Sequence, residues 1–282
     1  MKNLFLLALT SLLTASCSES ENGPFRYSSD YIDILKETAP YTDENADLHF
    51  SYQLDSPDAD AVYSFFRLDT IVDNSLSTWE NALRIGQFVT DNIPHNNQSA
   101  GIASLDAISL WNYHLNVENG FNCRWHSILT HELLLAAGIK NRFITCMPYK
   151  NDNECHVVNL VWLPELNKWA ILDTDMNEYM TDDLGNLLSL SELRNCIIND
   201  IHYNIHQLTT SSPIDIDYLK SYWPKNIYWF SSHEVAGFKR EPGLKSGDRY
   251  INLIPDGYSP YDVNLQIEIL TSNDSAFWAI PE

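Results

Sequence analysis

Cys123, His156 and Asp173 are the three residues of this chain whose types could carry acyl chemistry together, if folding brings them to one place. A thiolate attacks carbonyl carbon, an imidazole moves protons near neutral pH, and a carboxylate orients the imidazole and stabilises its charged form. Each stands at the end of a predicted element. Cys123 lies in "GFNCRWHSILTHELLLAAGIKNRF", Gly120 to Phe143, where a helix should begin. There, unpaired backbone N–H groups and the positive end of the helix dipole favour the thiolate over the thiol. The same N–H groups can hold an oxygen that turns negative when a carbonyl is attacked.

The elements that position these residues follow from apolar periodicity. After Cys123, the residues Trp125, Ile128, Leu129, Leu133 and Ala136 draw one buried stripe on a helix that Gly138 stops. His156 opens the strand "HVVNLVW" and Asp173 closes the strand "KWAILD", with "LPELN" as the turn between them. A turn centred between Glu165 and Leu166 sets Asp173 opposite Val158, on the sheet face that His156 shares. A register shift of two sets Asp173 directly opposite His156, and a shift of one separates them onto opposite faces.

Around this hairpin, "SSDYIDILKETA", "STWENALRIGQFVTDNI", "SLDAISLWNYHL" and "LLSLSELRNCII" read as helices, Ser77 and Glu80 forming a capping box on the second. "DLHFSYQL" and "RFITCM" read as strands. Beyond residue 210 the chain alternates and is rich in Tyr and Trp, which reads as added strands or a small β-rich extension packed on the core.

The N-terminus has a different character. "MKNLFLLALTSLLTASC" has a basic start, a short apolar run and small residues ending at Cys17, the layout of a secretory signal. A cysteine after small residues resembles a bacterial lipoprotein cleavage site, with Cys17 as the lipidated residue, although Thr14 stands where an aliphatic residue is usual. The acidic "SESE" resembles surface-export tags of Bacteroides-type lipoproteins. The organisation read from this is a signal over 1–16, a tether over 17–27, a main domain over 28–209 and the extension over 210–282. The expected location is the cell envelope, periplasmic or at the outer-membrane surface, with the lipid as the only membrane contact. Beyond the signal, no apolar stretch is long enough to cross a bilayer.

With 38 acidic and 17 basic residues spread along the chain, nucleic acid is excluded as a natural partner, and the acidity reads as solubility. Four further cysteines, Cys123, Cys146, Cys155 and Cys196, allow three pairings, but no CxxC pair supports a structural zinc site. Cys155 and His156 are strand neighbours that point to opposite faces, so Cys155 reads as structural. His202 and His206 would share a helix face if that segment were helical, but no third ligand is apparent and they read as surface residues. His126 and His131 are expected to point away from Cys123. Tyr222, Trp223, Tyr228 and Trp229 fit core strands, with a substrate groove as the alternative.

The stretch from "GFNCRWHSILTHELLLAAGIKNRFITCMPY" through "CHVVNLVW" to "LNKWAILDTDMNEYMTDDLGNLLSLSELR" resembles a transglutaminase-like domain. The likeness covers about residues 75–200. It implies an α+β, papain-like core with helices on an antiparallel sheet, Cys123 as nucleophile, His156 as base and Asp173 as orienter. Gly138, Ile139 and Arg142 match the family's Gly-Ile-Pro-Ala-Arg segment, while Thr174 stands in for the Pro of Asp-Pro-Thr. Some relatives use an upstream Trp at the oxyanion, which makes Trp111 a candidate, with a core aromatic as the preferred reading. Asn122 flanks the nucleophile, and Asn159 and Asn177 are candidates for hydrogen-bond support. The implied activity is thiol-dependent hydrolysis or transfer of an amide acyl group, on peptide, protein or cell-wall peptide, with no metal or organic cofactor. The alternatives are a silent binding module for peptide or glycan and a structural component of a surface complex.

Overall fold

The computed structural model describes residues 28–43, 47–97, 104–117, 120–150, 154–239, 247–260, 264 and 266–281. The expected signal, the tether and Cys17 lie outside the described residues. In chain order the elements are α1 (Ser28–Glu37), β1 (Ser51–Tyr52), α2 (Pro57–Phe66), α3 (Thr78–Asn92), α4 (Ala107–Asn116) and α5 (Cys123–Ala136). The hairpin strands and their neighbours follow as β2 (Asn141–Met147), β3 (His156–Leu163), β4 (Lys168–Leu172) and β5 (Glu178–Thr181). Then come α6 (Leu190–Ile198), β6 (Asn204–Gln207), α7 (Ile216–Tyr222), β7 (Trp229–His233), β8 (Val235–Ala236), β9 (Tyr250–Leu253), β10 (Glu268–Thr271) and α8 (Asp274–Phe277).

The architecture is mixed α/β. Six strands form the central sheet in the order β10-β9-β7-β2-β3-β4. All neighbours are antiparallel except β10 and β9, which run parallel. The sheet is therefore mixed rather than purely antiparallel as the resemblance implied. Three of its strands, β7, β9 and β10, come from beyond residue 210, and β7 pairs directly with β2. No separate sheet marks that segment off among the described residues, apart from the two-residue β8, which pairs with β1. The predicted strand "DLHFSYQL" shrinks to this short pair.

Alternation along β3 and β4 divides the core. Val157, Val161, Leu163, Ala170 and Leu172 face one cluster with α2, α3, α4 and α5. Val158, Leu160, Trp162, Trp169 and Ile171 face a second cluster with α6, α7 and the aromatics after residue 218. Period-two alternation thus serves two buried faces at once, and every residue of β3 is buried. The second face also holds Arg142, buried among the rings of Phe50, Trp169, Phe277 and Trp278, with its charge centre 4.1 Å from the Phe50 centroid and 4.4 Å from that of Trp169. Its Nη1 donates to the Phe277 carbonyl at 2.8 Å.

The helix that begins at Cys123 is not the half-exposed helix that its apolar stripe predicts. Twelve of its 14 residues are buried, because β3, α2, α3 and α4 surround it. Its polar residues are accordingly paired. Ser127 donates to the Val157 carbonyl at 2.8 Å, Thr130 meets Thr174 at 2.9 Å, and His131 meets Asn141 at 2.7 Å. Glu132 accepts backbone N–H groups from Ala107 at 2.8 Å and Lys239 at 2.6 Å. The expected caps are present: Ser77 and Glu80 form a capping box on α3, and Gly138, at φ 78°, takes the left-handed turn after α5.

Candidate active site

Cys123 is the first residue of α5, and Asn122 is its N-cap. The Asn122 side chain accepts from the Trp125 N–H at 3.0 Å, which fixes the first turn on which the sulfur sits. Cys123 itself is only 1% exposed. His156 opens β3 and Asp173 directly follows β4, as the hairpin reading required. Asn159 pairs with Leu172 and Leu160 with Ile171, which is the register set by a turn centred between Glu165 and Leu166. The diagonal is short enough for His156 Nε2 to meet Asp173 Oδ2 at 2.6 Å, with both side chains buried. The other carboxylate oxygen, Oδ1, accepts the N–H groups of Asp175 at 3.1 Å and Met176 at 3.0 Å. Asp173 is thus held by a backbone turn as well as by the imidazole, and that fixes where its free lone pairs point.

The turn closes with reciprocal backbone hydrogen bonds between Asp173 and Glu178 at 2.9 Å. Asn177, at φ 59°, supplies its left-handed residue. Its side chain accepts from Thr209 N–H at 2.9 Å and donates to the Thr209 and Ser212 carbonyls, so it anchors a neighbouring loop. Asn159 ties β3 to α5 by donating to the Ser127 carbonyl at 3.0 Å. Trp111 lies in the helical layer, stacked on Phe88 at 5.2 Å and edge-on to Phe66 at 5.4 Å.

Four residues join the site that the sequence reading did not place there. A Cys123 Sγ, a His156 ring nitrogen and an Asp175 carboxylate oxygen lie within 4.8 Å of one another. Asp175 Oδ1 is met by His95 Nδ1 at 2.8 Å and by His126 Nδ1 at 2.9 Å. His126 was expected to point away from Cys123, but residues three apart share a helix face, and the structure turns it towards Asp175. His126 Nε2 also lies 3.0 Å from the Ile93 carbonyl, and its Nδ1 3.2 Å from that of Asn122. Both nitrogens of this ring face oxygen atoms. Burial pushes the Asp175 carboxyl upward, yet hydrogen bonds from His126 and His95 and their charge outweigh it and hold the group below the ordinary carboxylate range.

Glu178 is the fourth. Burial and the neighbouring Asp173 charge push its carboxyl well above the ordinary range, while Trp223 Nε1, donating to Oε1 at 2.8 Å, opposes the shift. The site therefore contains one carboxyl pushed towards its neutral form beside one oriented against His156. Trp223 and Tyr222 also pack edge-on to the His156 ring, at 5.6 and 5.4 Å. The late aromatics are buried core residues, and two of them form the wall of the imidazole.

Other expectations resolve simply. Cys123, Cys146, Cys155 and Cys196 are all buried thiols outside any disulfide. Burial pushes the Cys146 thiol well up and raises that of Cys196. Cys155 and Cys146 belong to opposite core clusters, in keeping with strand alternation. The helix that would have aligned His202 and His206 does not form. His202 meets Asp183 at 2.5 Å on the surface, and His206, in β6, meets Thr181 at 2.8 Å. Among the described residues, no helix is long and apolar enough to cross a membrane.

No protein-family model matches the chain, and neither does any curated protein. A crystal structure described as that of a candidate cysteine protease from Cytophaga hutchinsonii is similar at 17% identity and a TM-score of 0.31, over 57% of this chain and 54% of that one. The likeness thus spans about half of that protein.

Proposed function

We propose that this chain is a thiol enzyme of the transglutaminase-like kind that cleaves or transfers an amide acyl group. Cys123 attacks the carbonyl carbon as a thiolate, and the oxygen that turns negative is met by N–H groups of the first turn of α5. His156, positioned by Asp173, passes a proton to the departing amine, which leaves a thioester on Cys123. Water then attacks the thioester, His156 takes its proton, and the thiolate departs with the acid released. Water is the acceptor in this reading, with amines as the competing acceptor. Peptide, protein or cell-wall peptide is the substrate class. Export and lipid attachment at Cys17 are part of the proposal and rest on the N-terminal sequence alone.

One observation carries the reading: a hydrogen-bonded His156–Asp173 pair stands beside a cysteine at a helix start. Chemical labelling tests it. Iodoacetamide at mildly acidic pH should modify Cys123 rapidly and selectively, with the three other buried thiols as internal controls and Cys123→Ala as the blank. Labelling of Cys123 no faster than a free peptide thiol overturns the proposal. The near-complete burial of Cys123 favours a second reading, a silent module that binds peptide or glycan on the same scaffold. An unreactive Cys123 in a folded protein is the outcome that reading requires.

A further inference from the structure

We propose that Cys123, His156 and Asp175 also form a binding site for a zinc-class divalent cation, which occupies the thiol centre reversibly and silences it. The three side chains are buried and their ligand atoms lie within 4.8 Å of one another. A sulfur, an imidazole nitrogen and a carboxylate oxygen make a donor set that suits Zn²⁺ and its analogue Co²⁺, and suits Mg²⁺ and Ca²⁺ poorly. Three protein ligands leave a fourth position for water, the arrangement of an open zinc site.

The surroundings of the three are those that metal ligands need. Asp173 takes His156 Nε2 at 2.6 Å, which assigns the remaining nitrogen, Nδ1, to the cation and backs the imidazole with a carboxylate. His95 and His126 both engage Oδ1 of Asp175 and fix its orientation. Among the described residues no donor reaches Oδ2 of Asp175, although that oxygen is fully buried. An ionised carboxylate oxygen kept dry with no donor is costly, and a cation beside it removes that cost. Binding replaces the thiol proton of Cys123 with the metal and releases that proton to solvent, with no change of oxidation state. The bound ion would tie the first turn of α5 to the start of β3 and to the turn between β4 and β5. The nucleophile would then be blocked.

The inference shares Cys123 and His156 with the proposed function but requires only ligation, so the two can fail separately. The full chain is dialysed against Zn²⁺ and its metal content measured, and Co²⁺ is added in parallel for its thiolate-to-metal charge-transfer absorption. Iodoacetamide labelling of Cys123 is followed with each ion. One equivalent of Zn²⁺, a Co²⁺ charge-transfer band, and labelling slowed roughly tenfold when the ion stands at about ten times its Kd are expected. Mg²⁺ and Ca²⁺ should give no protection. Cys123→Ala should lose the band, and Asp175→Asn should weaken binding. Where Asp175→Asn fails to fold by circular dichroism, the Co²⁺ band of the unmodified chain against Cys123→Ala decides. Zinc held equally by Cys123→Ala, or no stoichiometric zinc while selective labelling persists, overturns the inference; the second result leaves the thiol-enzyme reading intact.

Discussion

At the first turn of α5 the Asp175 carboxylate is met by two imidazoles, whereas further along the same helix Glu132 is met by the backbone N–H groups of Ala107 and Lys239. Both groups are buried, and in both burial acts first and upward. Their acidities nevertheless move in opposite directions. Asp175 is held below the carboxylate range, and Glu132 is pushed up to about 7. Neutral amide donors offset part of the desolvation, while charged partners exceed it. One end of the helix is thus built to keep charge in place near Cys123, and the other only joins the layers.

The largest break in this contrast should come from Asp175→Asn. It removes the buried carboxylate that His95 and His126 both engage, and loss of the partner in such a buried contact costs roughly 3–5 kcal/mol. Urea unfolding at neutral pH should show a loss of that size. A loss under about 1 kcal/mol would mean that the two imidazole contacts of Asp175 contribute no more than an ordinary hydrogen bond.

Glu132 supplies the next effect, through pH. Its folded pKa, about 7, lies above the ordinary 4.5, so the folded state binds more protons between those values. Stability is then fully present below about 4.5 and is lost as pH rises through about 7, by on the order of 3 kcal/mol at most. Denaturant midpoints measured across this window should fall with pH, and Glu132→Gln should remove that component of the slope. An unchanged slope in the variant would assign it elsewhere, Glu178 being the next group with the same sign.

Asp173→Asn should leave the fold in place and reduce iodoacetamide labelling of Cys123 at pH 6 by roughly 10²-fold, since the imidazole loses the group that orients and charges it. The smallest effect belongs to Asn122→Ala, which removes the cap and should cost about 1 kcal/mol by thermal unfolding. Equal effects of this variant on labelling and on stability would make Asn122 purely structural.

Much of this architecture was legible where the pattern is local. The turn "LPELN" fixes the register of β3 and β4, and with it the Asp173 diagonal to His156. Ser77 and Glu80 announce α3. What was illegible depends on contacts far apart in the chain. His95 reaches Asp175 because residues 94–96 lie beside Phe121, through Phe121 N–H to the Pro94 carbonyl at 3.0 Å and Asn96 N–H to the Phe121 carbonyl at 2.7 Å. No periodicity in "PHNNQ" signals that. Glu178 enters through a bridge across a four-residue turn, and β7 inserts beside β2 from more than 80 residues away. His126 was different, for its spacing of three from Cys123 already put the two on one helix face. The burial of α5 on all sides was hidden because its polar residues imitate a solvent face until their partners are known.

The aromatic cage of Arg142 has a consequence for synthesis. Strand β2 carries the guanidinium, but Phe277 and Trp278, with the carbonyl that accepts from it, are translated about 135 residues later. Until a ribosome has delivered them, a charged side chain in the middle of the sheet lacks half of its enclosure. The second core face cannot close before these residues are made, so folding of this face should be completed only after residue 278 has emerged.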